Sequence, residues 1–386
     1  VGVTGALSVT SGEAITDTGV VTVGGATTFV TDVDDKDITL NSSNAITGAL
    51  TFTTQTGGSN GADITLNNGS TAISLAGFTT RGNLTLETTN AIALTGNTVR
   101  GNLSVTSGGA ITQSAALTVS GNSSFTSTGT DTNITLNTDT NAFTGSVTLT
   151  TAGTSGDVSI DNGTTALGIQ GTINGALTVR NGQVITDSGT LTVSGASSFT
   201  IDTGSNHITL GSAALTGAIG VSTSGTSNFT LDNTTTAVNL GTVGVTGALS
   251  VTSGEAITDS GVITVTTTSS FTTDVNNKAI TLGSDNVMSG NITVSTLGTT
   301  GNVTIDNGTT ALGIQGTVNG ALNLTAGAAI TDSSTLTVSG TSDFTIDNGS
   351  NHITLDSAVL TGAIGVSTTG TSNFTLDNTT TAVNLG

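Results

Sequence analysis

Residues 247–259 read Gly247-Ala-Leu-Ser-Val-Thr-Ser-Gly-Glu-Ala-Ile-Thr-Asp, and the same thirteen residues stand at 5–17. Leu249 and Val251 alternate with Ser250 and Thr252, so an extended backbone sends the apolar side chains to one face and the hydroxyls to the other. Val, Ile, Thr and Phe favour pleated backbone, and Ser253-Gly-Glu supplies a turn before the next apolar residue, Ile257. Working outward, the same short clusters recur as Val21 and Val23, Ile38 and Leu40, Leu50 and Phe52, and Ile64 and Leu66. No helical period interrupts them. Low-complexity Gly, Ser, Thr and Asn would otherwise suggest disorder, but regular alternation predicts strands with one buried face.

The repetition is longer than any one strand. Val1–Asp17 recurs as Val243–Asp259, an offset of 242, and Gly156–Gly241 recurs as Gly301–Gly386, an offset of 145. A shorter unit underlies both: the phrase Gly-Ala-Leu or Gly-Asn-Leu places its Leu at 7, 103, 177, 249 and 322, at intervals of 96, 74, 72 and 73. Three intervals agree on a unit of about 73 residues, and the first exceeds it by 23, the signature of one inserted coil in a solenoid.

Residues 1–386 are therefore expected to form one continuous all-β array, a single-stranded parallel β-helix or β-solenoid, with the extra coil within about 1–96. Dividing the unit by three gives coils of about 24 residues and about sixteen of them, a stack about 75–80 Å long at ~4.8 Å per coil. Inward Leu, Ile, Val and Phe would form apolar ladders and outward Thr, Ser and Asn polar ones. The absence of Pro suits this, because Pro would remove a donor from the ladder. A globular sandwich of short strands is the competing architecture, but it gives no reason for a coil-sized insertion.

Three phrases carry a family likeness: Gly5-Ala-Leu-Ser-Val-Thr-Ser-Gly-Glu-Ala-Ile-Thr-Asp, Gly101-Asn-Leu-Ser-Val-Thr-Ser-Gly-Gly-Ala-Ile-Thr-Gln-Ser and Leu191-Thr-Val-Ser-Gly-Ala-Ser-Ser-Phe-Thr. They resemble the repeats of filamentous haemagglutinin-type bacterial surface proteins, over essentially the whole chain. The resemblance implies a right-handed parallel β-helix, export by two-partner or autotransporter-like secretion, and work as an adhesin, stalk or surface fibre. The expected function is thus a structural extracellular filament of a prokaryotic cell surface. The alternative is the stalk of a secreted adhesin that attaches through a region outside this segment.

Composition excludes other classes. Five Lys and Arg against 25 Asp and Glu leave a net charge of −20, which argues against nucleic acid, whose phosphates require clustered cations. No apolar run approaches the ~18 residues of a membrane span, and no leader resembles a signal peptide. Without Cys there is no disulfide framework or thiolate metal site. The chain opens on Val1 rather than Met and reads as a mature protein or a segment of a longer one. Its ends also match in phase: Gly386 corresponds to Gly241, and Val1 to Val243, with only Thr242 between those two counterparts. The expected partner is therefore self, either head to tail or as a longer continuous chain.

Catalysis is not expected. Trp and Tyr are absent, so a sugar-processing groove has no aromatic platform of that kind, and no HExxH, GxSxG or P-loop appears. His207 and His352 share one repeat position, each before Ile-Thr-Leu, which suits a turn or ladder residue. No cofactor is expected beyond weak calcium candidates. The first is Asp32, Asp34, Asp35 and Asp37, whose counterparts at offset 242 keep only Asp274 and place Asn276, Asn277 and Ala279 at the rest. The second is the Asp-Asn-Gly turns at Asp161, Asp306 and Asp347. Sequons at Asn68, Asn162 and Asn228 are glycosylation candidates. Outward Thr pairs such as Thr190 with Thr192, or Thr335 with Thr337, suggest ice binding as a remote alternative, broken by Arg180 and by variable coil length.

Overall fold

Leu249 and Val251 point inward and are buried, while Ser250 and Thr252 between them stay half-exposed, so the alternation becomes the strand Leu249–Ser253. Two short strands follow, Ile257–Asp259 and Ile263–Val265, and the chain then returns alongside its start as Ser269–Asn276. Leu249 lies opposite Ser269 and Val251 opposite Phe271, in parallel. One turn thus takes 20 residues and consists of one long side and two short ones. In the computed structural model, residues 1–55, 61–378 and 381–386 are described, and they contain strands and no helix. The fold is an all-β parallel β-solenoid of about 19 turns.

The chain divides into two units, Val1–Gly195 and Ala196–Gly386, and each is a stack of such turns. In the first unit Leu84, Leu103, Ser123 and Val147 stack in one sheet, each the start of a long side. In the second, Phe229, Leu249, Ser269 and Ile292 do the same. The inward Leu, Ile, Val and Phe are almost all buried, each burial contributing roughly 1.5–3 kcal/mol against chain entropy. Phe rings meet within the stack: Phe29 lies over Phe52 at 5.9 Å, and Phe125 meets Phe143 edge-on at 5.8 Å.

The coil count expected from the sequence is too low, and the reason is geometrical. From Leu249 the chain makes two turns in the same sheet, to Ser269 and Ile292. The next long strand, Val303–Asp306, begins only 11 residues after Ile292 and lies in the other sheet, where Val303 pairs with Leu322 one turn on. The 73-residue unit is therefore three and a half turns of about 20 residues, not three of about 24. The first unit repeats this: Leu103, Ser123 and Val147 share a sheet, while Val158 and Leu177 share the other. Successive units place the same phrase in alternate sheets, and only every second unit returns it to the same one. This explains why the long shared run spaces at 145 rather than 73.

At each half-turn switch a long side stacks on a seven-residue strand whose own pairing to the following turn slips in register at a glycine. Ile292–Leu297 lies on Leu312–Val318 with Val294 opposite Gly316. Gly316 adopts φ 114°, and a Cβ there would stand 2.0 Å from the Val294 carbonyl oxygen. Gly171 meets Leu149 in the same way, with φ 125° and 2.1 Å.

Ile64–Asn67 pairs with Ile38–Leu40 on one side and with the strand from Leu84 on the other, so the turn that starts at Ile64 lies between them. That turn takes 20 residues, from Ile64 to Leu84, and the other three of the 23-residue excess lengthen the segment from Leu50 to Ile64 relative to that from Ile292 to Val303.

Candidate functional site

The residues with chemical potential sit mostly at the corners, where each turn must satisfy main-chain groups. One position, immediately before a strand, is filled repeatedly by Asn, Asp or His, and its side chain accepts the N–H of the equivalent residue one turn on. In the first unit this makes a column. The Oδ1 atoms of Asp37, Asp63, Asn83, Asn102 and Asn122 accept from Asp63, Asn83, Asn102, Asn122 and Ser146 at 2.9, 2.7, 2.8, 2.8 and 3.1 Å. His207 belongs to the same class, its Nδ1 accepting the N–H of Asn228 at 3.0 Å, and Asn228 Oδ1 accepts the N–H of Ala248 at 2.8 Å. His352 repeats the contact with Asn373 at 3.0 Å. Both histidines are thus ladder residues, as their spacing suggested. The column itself was missed from sequence, although part of its signal was present: Asp37, Asp63, Asn83, His207 and His352 each stand just ahead of an apolar–Thr–apolar triplet.

The acidic cluster disperses around a turn. Asp32, Asp34, Asp35 and Asp37 are all exposed, and two of them serve main-chain donors of the following turn: Asp35 Oδ1 accepts from Gly61 at 2.9 Å, and Asp37 from Asp63. Asp35 has φ 57°, a left-handed conformation that Asp and Asn tolerate better than most residues. Its counterpart Asn277 has φ 64° and accepts from Thr299 and Thr300 at 2.8 and 3.0 Å. An amide does the work of the carboxylate there, so geometry rather than charge is what that position demands. Asp131, with φ 57°, accepts from Thr154 and Ser155, and these two N–H groups hold its carboxyl below the usual carboxylate range. Lys36 and Lys278, equivalent by offset, each pair with an equivalent glutamate, Glu13 and Glu255.

In two of the Asp-Asn-Gly turns the middle residue matters most. Asp161 and Asp306 each accept the N–H of the glycine two residues on, at 2.8 and 2.9 Å. Asn162 and Asn307 are completely buried. Asn162 Oδ1 accepts the Phe143 N–H at 2.7 Å, and its Nδ2 donates to the carbonyls of Phe143, Thr165 and Ala166. Asn68 is likewise buried and bonded, with Oδ1 to Ile46 N–H and Nδ2 to three carbonyls. Two of the three sequons therefore have their amides inside the folded chain. The third Asp-Asn-Gly turn departs, with Asp347 and Asn348 exposed.

Asp285 and Asp347 line a shallow groove with Gly308 and Thr309, close to Asp306. Burial pushes Asp306 above its usual range, and the carboxylates of Asp285, Asp347 and Asp259 add to this against the lowering effect of the Gly308 N–H. Among the described residues no three His, Asp or Glu groups come together as ligands for one metal ion. The outward Thr pairs stand as expected: Leu191 and Leu336 are buried, and Thr190, Thr192, Thr335 and Thr337 flank them on the outer face. Among the described residues no helix is long and apolar enough to cross a membrane.

Comparison with known proteins gives one family. A family described as repeats of unknown function (DUF5649) matches residues 1–53, 81–150, 155–222, 226–295 and 300–367. The gap between its first two matches contains the strand Ile64–Asn67. No curated protein and no solved structure matches the chain.

Proposed function

We propose a mechanical role for this chain, which belongs to the DUF5649 repeat family: a structural element of an extracellular fibre at a prokaryotic cell surface. The observation that carries the reading is the use made of polar side chains. Asp35, Asp37, His207, Asn228 and His352, the residue types that would perform chemistry elsewhere, are spent on main-chain groups of the neighbouring turn. The interior is mainly apolar, its buried Asn amides bonded to main chain, and the strand hydrogen bonds run from turn to turn, so load along a stack falls on many bonds at once and opening one turn breaks several together. Such an element works without catalysis, cofactor or metal. The likeness of its phrases to filamentous haemagglutinin-type repeats supports placement outside the cell.

A stalk for an adhesin is the second reading. It is favoured by the repetition of the outward Thr and Ser, as at Ser250 and Thr252 opposite Ser270 and Thr272, and in this reading recognition belongs to a region outside these residues. Immunogold labelling of intact cells followed by negative-stain microscopy tests the proposal. Label along thin surface threads is the expected result. Label confined to the cell interior overturns both readings, and label only at the base of a tipped projection selects the stalk.

A further inference from the structure

We propose that Asn348-Gly349 is a self-modifying site, at which the Gly349 main-chain nitrogen attacks the Asn348 side-chain amide and converts the asparagine to aspartate and isoaspartate. The other Asn-Gly pairs of the stacked turns stay intact. The site does not depend on the fibre reading.

Asn-Gly is the sequence most open to this reaction, because glycine places no Cβ beside the attacking nitrogen. The chain has eight such pairs, and seven lie wholly within the described residues. In six of the seven, hydrogen bonds hold both reacting groups. Asn68, Asn162 and Asn307 are fully buried with Nδ2 on main-chain carbonyls, and the next N–H, from Gly69, Gly163 or Gly308, donates to Oδ1 of Asn67, Asp161 or Asp306 at 2.9, 2.8 and 2.9 Å. Asn174 and Asn319 donate Nδ2 to the Thr151 and Thr296 carbonyls at 2.8 and 2.7 Å, and the glycines after them donate to the Gly156 and Gly301 carbonyls at 3.1 Å each. Asn181 is buried with Nδ2 on three carbonyls, and the Gly182 N–H donates to the Gly163 carbonyl at 2.6 Å.

Asn348 is the exception. It is exposed, and neither its side-chain amide nor the Gly349 N–H has a hydrogen-bond partner among the described residues. The pair nevertheless lies inside the stack, since the strand before it, Ser342–Ile346, is paired on both sides, with Leu322–Ala326 and with Ala363–Ser367. The turn itself does not require asparagine. The copy 145 residues earlier reads Asp202-Thr-Gly-Ser-Asn, and Gly204 there has φ 72° where Gly349 has φ 68°. The Thr203 carbonyl accepts Asn206 Nδ2 at 3.4 Å, as the Asn348 carbonyl accepts Asn351 Nδ2 at 3.1 Å.

The reaction consumes only water. The Gly349 nitrogen gives its proton to solvent and bonds to Asn348 Cγ. The Cγ–Nδ2 bond breaks, the leaving nitrogen takes a proton from solvent and departs as ammonia, and a five-membered succinimide remains. Water then opens the ring. Breaking the bond from the ring nitrogen to Cγ gives aspartate, and breaking the bond to the main-chain carbonyl carbon gives isoaspartate, whose backbone is one methylene longer. Either product adds a carboxylate to the groove that Asp285 and Asp347 line. Isoaspartate also displaces a corner on which the next turn rests, where the Gly349 carbonyl accepts Thr369 Oγ1 at 2.8 Å and Ser350 Oγ accepts the Thr371 N–H at 3.1 Å.

Peptide mapping by mass spectrometry of the folded 386-residue chain, stored for weeks in mildly alkaline buffer, tests this, with methyltransferase labelling to detect isoaspartate. The expected result is a gain of about 1 Da in the peptide holding Asn348, at least about tenfold faster than at any of the other six asparagines, each of which must first open locally. Asn348→Thr, which reproduces the internal copy, should abolish the gain there and leave the circular dichroism spectrum unchanged. In concentrated urea the differences among the seven pairs should largely vanish. An Asn348 that stays intact in the folded chain but converts in urea overturns the proposal, as does conversion of Asn162 or Asn307 in the folded chain at the rate of Asn348. A preference for Asn348 that persists undiminished in urea overturns it too, because sequence and not folding would then be its source.

Discussion

Gly316 sits so close beneath the Val294 carbonyl that no other residue fits: a Cβ would stand 2.0 Å from that oxygen, at φ 114°. The contact lies at the half-turn switch, where Ile292–Leu297 is laid on Leu312–Val318 and the register to the next turn slips between Ile314 and Gly316. Gly316→Ala is expected to destabilise the second unit by at least ~3 kcal/mol, combining a backbone clash with a left-handed conformation. Gly283→Ala in the same unit, where a Cβ would meet nothing within 4 Å, is the control and should shift urea denaturation within about 0.5 kcal/mol.

Turns should be removable whole and not by halves. Ile64 and Leu84 start equivalent strands, and Asp63 and Asn83 occupy the same ladder position. Deleting residues 64–83 joins Asp63 to Leu84 in register and should leave the circular dichroism spectrum and cooperative melting intact. Deleting residues 64–73 exchanges the two sheets and sends buried positions to the wrong neighbours, so melting should broaden or fall sharply.

Asp17 and Asp306 should respond to pH with opposite signs. Burial tends to raise Asp17, but hydrogen bonds from the Asn44 side chain, the Ser42 and Asn41 N–H groups and the Ser42 hydroxyl outweigh it and hold the carboxyl below its usual range. Its folded value is depressed, so its contribution is present above the unfolded value and is lost as pH falls through the folded one. Asp17→Asn should therefore weaken the protein at neutral pH, with the difference from the parent closing as the pH falls through the depressed folded value. Asp306 is raised instead, so its charge opposes folding above the folded value and the penalty vanishes in acid. Asp306→Asn, which keeps an acceptor for Gly308, should be more stable than the parent at neutral pH and equal to it in acid. Thermal melts from pH 2.5 to 7 read both.

Asn162→Ala should cost about 2–3 kcal/mol, because it strands the buried Phe143 N–H and three carbonyls without leaving room to hydrate them. The buried amides of Asn68 and Asn162 are also expected to escape modification in a folded chain expressed in a glycosylating host. Intact-mass spectrometry checks this, and occupancy at either site would contradict their placement.

Alternating patterns such as Leu249-Ser-Val-Thr-Ser were enough to specify strands, because strand periodicity is a local property of sequence spacing. The turn length was not legible. A repeat of 73 residues divides arithmetically into three, and nothing in the spacing announces that Val303 starts a strand in the opposite sheet from Ile292. That depends on where the chain closes on itself, a long-range contact. The candidate residues divide in the same way. The equivalence of His207 and His352 was plain from the repeat, whereas the part they play, accepting the N–H of Asn228 and Asn373, exists only because the next turn lies directly alongside.

By itself, then, the sequence determined the strand type and the parallel stacking, since both follow from alternation and period. Only the tertiary structure decided that a unit spans three and a half turns, that Gly171 and Gly316 must be glycine, and that Asp35 and Asn162 serve the backbone. Those outcomes depend on which residues lie one turn away, and that is set by closure of the coil around its apolar interior rather than by any neighbour in the chain.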